Sequence, residues 1–121
     1  MASEAVRHGV DGHVDFPGFV DPIEFAKKID VVAQLSIWEN CSYTLLDAIV
    51  AGQGVVASNV GGNPEILPRH CLVDPDQPAQ VAQALLSQAQ QPELRPQLPA
   101  DWPSVSAMTE QIADIYAEVT Q

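Results

Sequence analysis

The chain is poor in basic residues, and this shortage limits the ligands that it can hold. Only five of its 121 residues are lysine or arginine, against 16 acids, and the formal net charge is −11. Such an acidic surface repels nucleic acid and anionic lipid at long range, so we expect neither as a partner. With so few cations, any bound phosphate would depend on backbone N–H groups.

Cysteines, metal-binding patterns and long apolar runs are scarce as well. Cys41 and Cys71 lie far apart without a CxxC or Cys/His spacing, which predicts free thiols in a reducing compartment. His8, His13 and His70 are scattered, so no metal site is predicted. No segment has the pattern of a signal peptide or the length of a membrane span, and a cytoplasmic location is predicted.

What the chain does contain is an alternation of short apolar runs with amphipathic segments. The runs "DVVAQLS", "GVVAS" and "HCLVD" predict buried parallel strands. The stretch "HVDFPGFV" predicts a further short strand, with Val14 and Phe16 turned inward, broken by Pro17 and Gly18. Helices are predicted between and around these strands, at Glu4–His8, from the N-cap Asp21 onward, at Ser42–Ala51, at "PEIL", at Pro78–Gln90 and at Ser104–Val119.

This order of elements predicts an α/β fold, a Rossmann-like parallel sheet with helices on both faces. Residues 1–12 form an N-terminal segment, the remnant of a preceding helix, and residues 13–91 form the core. Residues 92–103 are predicted to be a proline-rich linker without regular structure, and residues 104–121 a C-terminal helix. One face of that helix is apolar, through Val105, Met108, Ile112, Ile115, Tyr116 and Val119.

Two acids flank the start of the third helix. Glu39 follows the strand "DVVAQLS" at its carboxyl end, where open parallel sheets bind ligands, and the helix N-terminus beside it suits an anion. Ionised carboxylates accept strong hydrogen bonds, which suits the diol of a sugar or ribose. The alternative for Glu39 is a loop residue stabilised by the helix dipole alone. Asp47 shares a narrow polar face with Thr44, so it faces either solvent or a polar cleft.

The loop "SNVGGNPE" follows the next strand. Its paired glycines, Gly61 and Gly62, permit either a close backbone approach to a ligand or a plain turn. The spacing is neither a dinucleotide-binding fingerprint nor a P-loop. Both alternatives therefore stay open at this loop.

Several segments, in a fixed order, resemble the C-terminal, nucleotide-sugar-binding half of a GT-B glycosyltransferase. The family concerned is retaining glycosyltransferase family 4, also called glycosyl transferases group 1. The resemblance covers about residues 13–119. The stretches that carry it are "VDFPGFV", "DVVAQLSIWENCSYTLLDAIVAGQGVVASNVGGNPEIL", "CLVDPDQPAQVAQALL" and the terminal "DWPSVSAMTEQIADIYAEV".

The resemblance implies transfer of a hexose from a nucleoside-diphosphate sugar to a hydroxyl acceptor, with retention of configuration and without a metal or other cofactor. In the E-x7-E motif, Glu39 is implied to contact hydroxyls of the donor sugar and Asp47 the ribose of the nucleotide. No catalytic residue is singled out. The implied donor-sugar ligands are Glu39, Asn40, Cys41 and Ser42, and the implied nucleotide ligands are Tyr43, Thr44, Asp47, Gly18, Phe19 and Val20.

Three departures from the family pattern limit what the resemblance implies. Asp47 is one methylene shorter than the usual glutamate, which reduces its reach by roughly 1.5 Å. Cys41 and Tyr43 or their neighbours replace the usual glycine and phenylalanine. The acceptor domain has no counterpart in these 121 residues, and neither has the strand–helix unit with the phosphate-holding arginine and lysine.

We therefore expect a truncated, inactive relative of the family. It would associate with the missing acceptor domain, or with itself through apolar surface on the terminal helix and the sheet edge. The alternatives are a non-catalytic nucleotide- or nucleotide-sugar-binding module and an α/β interaction domain whose site has decayed.

Overall fold

A computed structural model describes all residues, 1–121, and its centre is a three-stranded parallel sheet in the order β1-β2-β3. The strands are β1 (Val31–Gln34), β2 (Gly54–Ser58) and β3 (Leu72–Val73). Each coincides with a predicted apolar run. Helices flank the sheet, so the predicted α/β, Rossmann-like class is confirmed.

Six α-helices and three 3₁₀ turns precede, connect and follow the strands. The helices are α1 (Ala2–Arg7), α2 (Pro22–Ala26), α3 (Tyr43–Val50), α4 (Asn63–Ile66), α5 (Pro78–Gln90) and α6 (Val105–Val119). The turns are Asp11–His13, Arg69–Cys71 and Pro92–Leu94. The predicted cap of α2 is confirmed, because the Asp21 carboxylate accepts hydrogen bonds from the N–H groups of Ile23 and Glu24.

The hydrophobic core lies on both faces of β2, all of whose residues are buried. Its side chains alternate between the faces, so α3 covers one and α5 the other. The α3 side of the core contains Leu45, Ala48, Ile49, Val55, Ala57, Ile66, Leu67 and Cys71. The α5 side contains Val56, Val73 and Val81.

A buried glutamine of α5 replaces a strand partner at the start of β2, where β3 does not reach. Since β3 pairs only with Ala57 and Ser58, the N–H of Val55 has no strand partner on that side. The Gln88 side chain, 1% exposed, accepts from Val55 N–H at 3.0 Å and donates to the Leu94 carbonyl at 2.9 Å. This link fixes α5 and the segment after it to the sheet.

The outer edge of β1 is open. The Asp30 carbonyl accepts from Gly54 N–H at 2.8 Å, so the backbone groups of Val31 and Ala33 point away from β2. No other segment of the chain forms a backbone hydrogen bond to them. Leu35, Ile37 and Trp38, which follow this edge, are exposed. These three residues belong to the loop after β1, so the apolar surface predicted at the sheet edge itself stays a prediction.

The strand predicted at "HVDFPGFV" is wrong. Its first residue ends a 3₁₀ turn, and residues 14–20 lie in no strand. Phe16 is exposed rather than turned inward, and Val14 is exposed as well. Pro17 has no N–H to donate, and Gly18 adopts φ 71°, so the local alternation cannot continue into a paired ladder.

The prediction that residues 92–103 lack regular structure is wrong at their start. Pro92–Leu94 is a 3₁₀ turn, favoured by proline at its first position. Pro96 is buried and Leu98 packs against the core, so this segment lies on the body of the fold. The domain limits proposed from the sequence stay predictions.

The C-terminal helix and its apolar face are confirmed, but nothing covers that face. All fifteen residues of α6 lie outside the core, and the six apolar side chains named above are exposed. No helix of the chain combines the length and apolar character that a membrane crossing requires.

Candidate functional site

Two loops meet at the carboxyl edge of the sheet. Because β1 and β2 are parallel, the loop 35–42 after β1 and the loop 59–62 after β2 leave the same edge. Gly62 N–H donates to the Glu39 carbonyl at 3.2 Å, so the loops are in direct contact. We call these two segments the carboxyl-edge loops.

Ser42 begins α3 and is occupied by structural hydrogen bonds. Its Oγ accepts from Leu45 N–H at 3.2 Å and from Gln34 Nε2 at 2.8 Å, and the residue is 4% exposed. The hydroxyl therefore acts as a helix cap, and the predicted sugar contact of Ser42 stays a prediction. Gln34 was not singled out from the sequence; its only signal is a polar side chain at the end of an apolar strand.

Glu39 lies half-buried in the first loop with most of its acceptor capacity unused. Its Oε1 accepts one long hydrogen bond, 3.3 Å, from Asn40 N–H. The ion pairs of the chain join Glu4 to Arg7 and His8, and Glu24 to Lys27, so Glu39 has no cationic partner. The carboxylate is free to accept further hydrogen bonds from a neutral, hydroxyl-bearing ligand.

Asp47 lies on the exposed side of α3, one turn from the helix start. Leu45, Ala48 and Ile49 turn toward the core, while Tyr43, Thr44 and Asp47 do not. Of the two alternatives left by the sequence, the structure favours solvent, because the Asp47 carboxylate has no partner in the chain. Its contact with a ribose stays a prediction.

The N-terminus of α3 offers unused donors. The N–H groups of Tyr43 and Thr44 form no hydrogen bond within the chain, and they carry the partial positive charge of the helix start. None of the five basic residues belongs to the carboxyl-edge loops or to α3. An anion at the start of α3 could accept hydrogen bonds from these backbone groups.

The remaining predicted ligands are less closely connected to this edge. Asn40 and Cys41 are exposed in the first loop. No hydrogen bond joins Gly18, Phe19 or Val20 to the carboxyl-edge loops, and the Phe19 side chain is fully exposed. The nucleotide contacts predicted for these three residues therefore stay predictions.

The two cysteines are both free, as predicted, but differ in environment. Cys41 is exposed, whereas Cys71 is fully buried in the core. Burial raises the pKa of the Cys71 thiol to about 11, which makes it unreactive at neutral pH. The free thiols do not show the compartment, so the predicted cytoplasmic location stays a prediction.

A concave region borders the second carboxyl-edge loop. A groove of about 850 Å³ beside β3 is lined by Asn59 and Val60 of that loop and by Arg69, His70, Asp74, Gln80 and their neighbours, none of them a predicted ligand. His70 Nε2 lies 2.7 Å from the Leu94 carbonyl. No group of three or more His, Cys, Asp or Glu side chains is placed to hold a metal ion.

Residues 1–91 match the family model described as glycosyl transferases group 1. The chain belongs to this family. The match includes the sheet and both carboxyl-edge loops of this glycosyltransferase chain, together with residues 1–12, where the sequence resemblance began at residue 13. It does not include α6, so the resemblance of the terminal helix stays a prediction. No curated protein and no solved structure matches the chain significantly.

Proposed function

We propose that this glycosyltransferase chain binds a nucleoside-diphosphate sugar at the carboxyl-edge loops, as the donor for transfer of a hexose to a hydroxyl acceptor. The observation that carries the proposal is a Glu39 carboxylate without a cationic partner, in the loop that leads to the free N–H groups of α3, within the region that matches the family. A hydroxyl-binding acceptor and an anion-binding helix start at one edge suit the two halves of such a donor.

In this proposal, each part of the donor contacts a different part of the site. Glu39 accepts hydrogen bonds from the sugar hydroxyls, and the N–H groups of Tyr43 and Thr44 donate to the diphosphate. Asp47 lies three residues beyond Thr44 on the same side of α3, about 4.5 Å further along the helix axis. That offset supports its assignment to the ribose, which follows the diphosphate in the donor.

The proposal includes transfer with retention, the GT-B arrangement and no cofactor beyond the donor. The family resemblance supports these three points. A second, acceptor-binding domain would complete the site. The open edge of β1 and the uncovered face of α6 support such a partner, because both expose apolar or unpaired polar groups. The 121-residue chain alone is inactive in this proposal, since one wall of a cleft can neither position two reactants nor exclude water.

Calorimetric titration tests the donor site. UDP-, GDP- and ADP-glucose, and the corresponding free diphosphates, are titrated into the wild type, into Glu39→Gln and into the control Glu110→Gln on the exposed side of α6. We expect Glu39→Gln to weaken binding of the preferred sugar nucleotide by about tenfold or more, because a charge-assisted hydrogen bond contributes about 1.5–3 kcal/mol. Binding of the free diphosphate and the behaviour of Glu110→Gln should not change. A wild type that binds none of these compounds would overturn the proposal.

A non-catalytic nucleotide-sugar-binding module is the second candidate. The exposure of Tyr43 and Asp47 favours it, since this half of the site is open to solvent without any further domain. Incubation of the chain with donor and a hydroxyl acceptor tests for catalysis by the chain itself, and release of free sugar or nucleotide is expected for neither candidate. Turnover that Glu39→Gln abolishes would contradict both the module and the predicted inactivity.

A further inference from the structure

The glycines of the second carboxyl-edge loop lie directly against the backbone of the first. A Cβ atom on Gly61 would overlap the Glu39 carbonyl, and one on Gly62 would overlap the Asn40 carbonyl. In both cases the obstacle is main chain, which cannot move aside as a flexible side chain can. The sequence allowed a ligand or a plain turn as the reason for paired glycines; the structure shows a third reason, contact between two loops.

This contact fixes the orientation of the peptide between Glu39 and Asn40. Gly62 N–H donates to the carbonyl of that peptide at 3.2 Å. In a trans peptide the carbonyl and the N–H point in opposite directions, so fixing one fixes the other. The N–H in question belongs to Asn40, and it donates to the Glu39 carboxylate at 3.3 Å.

The second loop is itself firmly attached to the sheet. Asn63, fully buried after the two glycines, donates from Nδ2 to the Ser58 carbonyl at 3.0 Å. Ile66 and Leu67, which follow it, belong to the core. The glycines therefore rest on a rigid base, and they can transmit that rigidity to the loop that carries Glu39.

We propose that Gly61 and Gly62 are positioning residues for the Glu39 carboxylate: they hold the Glu39–Asn40 peptide in the one orientation in which Asn40 N–H supports that carboxylate. Neither glycine contacts the donor. At its other end the Glu39 loop is held by Gln34 and Leu45 through Ser42. A loop fixed at both ends loses little freedom when a sugar binds, which strengthens binding. The effect on the donor rests on the function proposed above, whereas the effect on the loop does not.

Matched glycine variants separate this role from ordinary backbone strain. Gly62 has φ −81°, which alanine adopts freely, so Gly62→Ala introduces the overlap alone; Gly12→Ala, in open space, is its control. Gly61 has φ 52°, so Gly61→Ala adds strain to the overlap; Gly52→Ala, with φ 74° and open space, adds strain alone.

Backbone amide resonances and donor affinity are measured on all four variants. We expect Gly61→Ala and Gly62→Ala to shift the amides of residues 39–42 while those of α5 stay in place. We expect their dissociation constant for the sugar nucleotide to rise about tenfold or more, since the displaced carboxylate would lose a charge-assisted hydrogen bond to the sugar. Gly12→Ala and Gly52→Ala should leave the loop resonances and the affinity within twofold, even where Gly52→Ala lowers the stability.

Loop resonances that do not move in Gly62→Ala would overturn the proposal, as would loop resonances that Gly52→Ala moves equally. A wild-type measurement covers the case in which a variant does not fold: the Gly62 amide should exchange its hydrogen slowly, and exchange at the rate of an exposed amide would also overturn it. If the wild type binds no sugar nucleotide but the resonances shift as expected, the proposed function fails while the positioning role stands.

Discussion

Strand β2 and helix α6 are both rich in apolar residues, yet every residue of the strand is buried and none of the helix is. Every residue of β2 is covered, by β1, β3, α3 and α5. No residue of α6 is buried, although its apolar side chains recur three and four residues apart as in a packed helix. Periodicity therefore identifies the face that a helix presents, whereas the partner of that face depends on the rest of the fold or on another chain.

The largest expected effect is a difference in stability between the two regions. Leu45 is fully buried beside β2. Leu45→Ala should lower the free energy of unfolding by about 3 kcal/mol, because a cavity remains in the core. Ile112→Ala on α6 should change the free energy of unfolding by less than about 0.5 kcal/mol. Urea denaturation of both variants checks this, and equal losses would show that α6 packs on the core in solution.

A smaller effect, about 2 kcal/mol, is expected from the buried thiol at high pH. The folded-state pKa of Cys71, about 11, lies above its unfolded value of 9.0, so its contribution is complete below pH 9 and is lost as the pH rises toward 11. The loss of stability between pH 9 and 11 should therefore be smaller in Cys71→Ala than in the wild type. Cys41→Ala, at the exposed thiol, is the control and should follow the wild type; an identical pH profile in all three would contradict this account.

A lysine introduced on the apolar face of α6 should change the folding stability least. It should nevertheless change the molar mass of the protein in solution clearly. We expect the wild type to self-associate through the uncovered face of α6, and more strongly as salt screens its net charge of −11. Ile112→Lys should shift the mass measured by light scattering toward the 13.0 kDa monomer, whereas Glu110→Lys on the same helix should not. A wild type that is monomeric at every salt concentration would contradict this expectation.

Much of the sheet could be predicted from the sequence because its strands are short, apolar and bounded by helix caps and glycines. The failure at residues 13–20 has a local cause, since Pro17 and Gly18 interrupt a pattern that was too short to form a strand. The role of Gln88 could not be predicted, because it depends on which N–H of β2 its neighbour β3 leaves without a partner.

At the candidate site, too, some features could be predicted from the sequence and others could not. The position of Glu39 at a strand end follows from chain order and the parallel sheet. The contact of Gly61 and Gly62 with its backbone depends on how closely two loops approach in three dimensions, and no spacing in the sequence expresses that distance.

That contact has a consequence for reading saturation mutagenesis of this chain. Positions 61 and 62 should tolerate substitution as poorly as position 39 in any selection for donor use, because every side chain larger than hydrogen meets the same two carbonyl groups. A map of tolerated substitutions would then outline a binding site wider than the donor itself. Sites drawn from such maps would include residues that no ligand touches. Matched glycine controls such as Gly12 and Gly52 would be needed to separate residues that position the loop from residues that are sensitive to backbone strain alone.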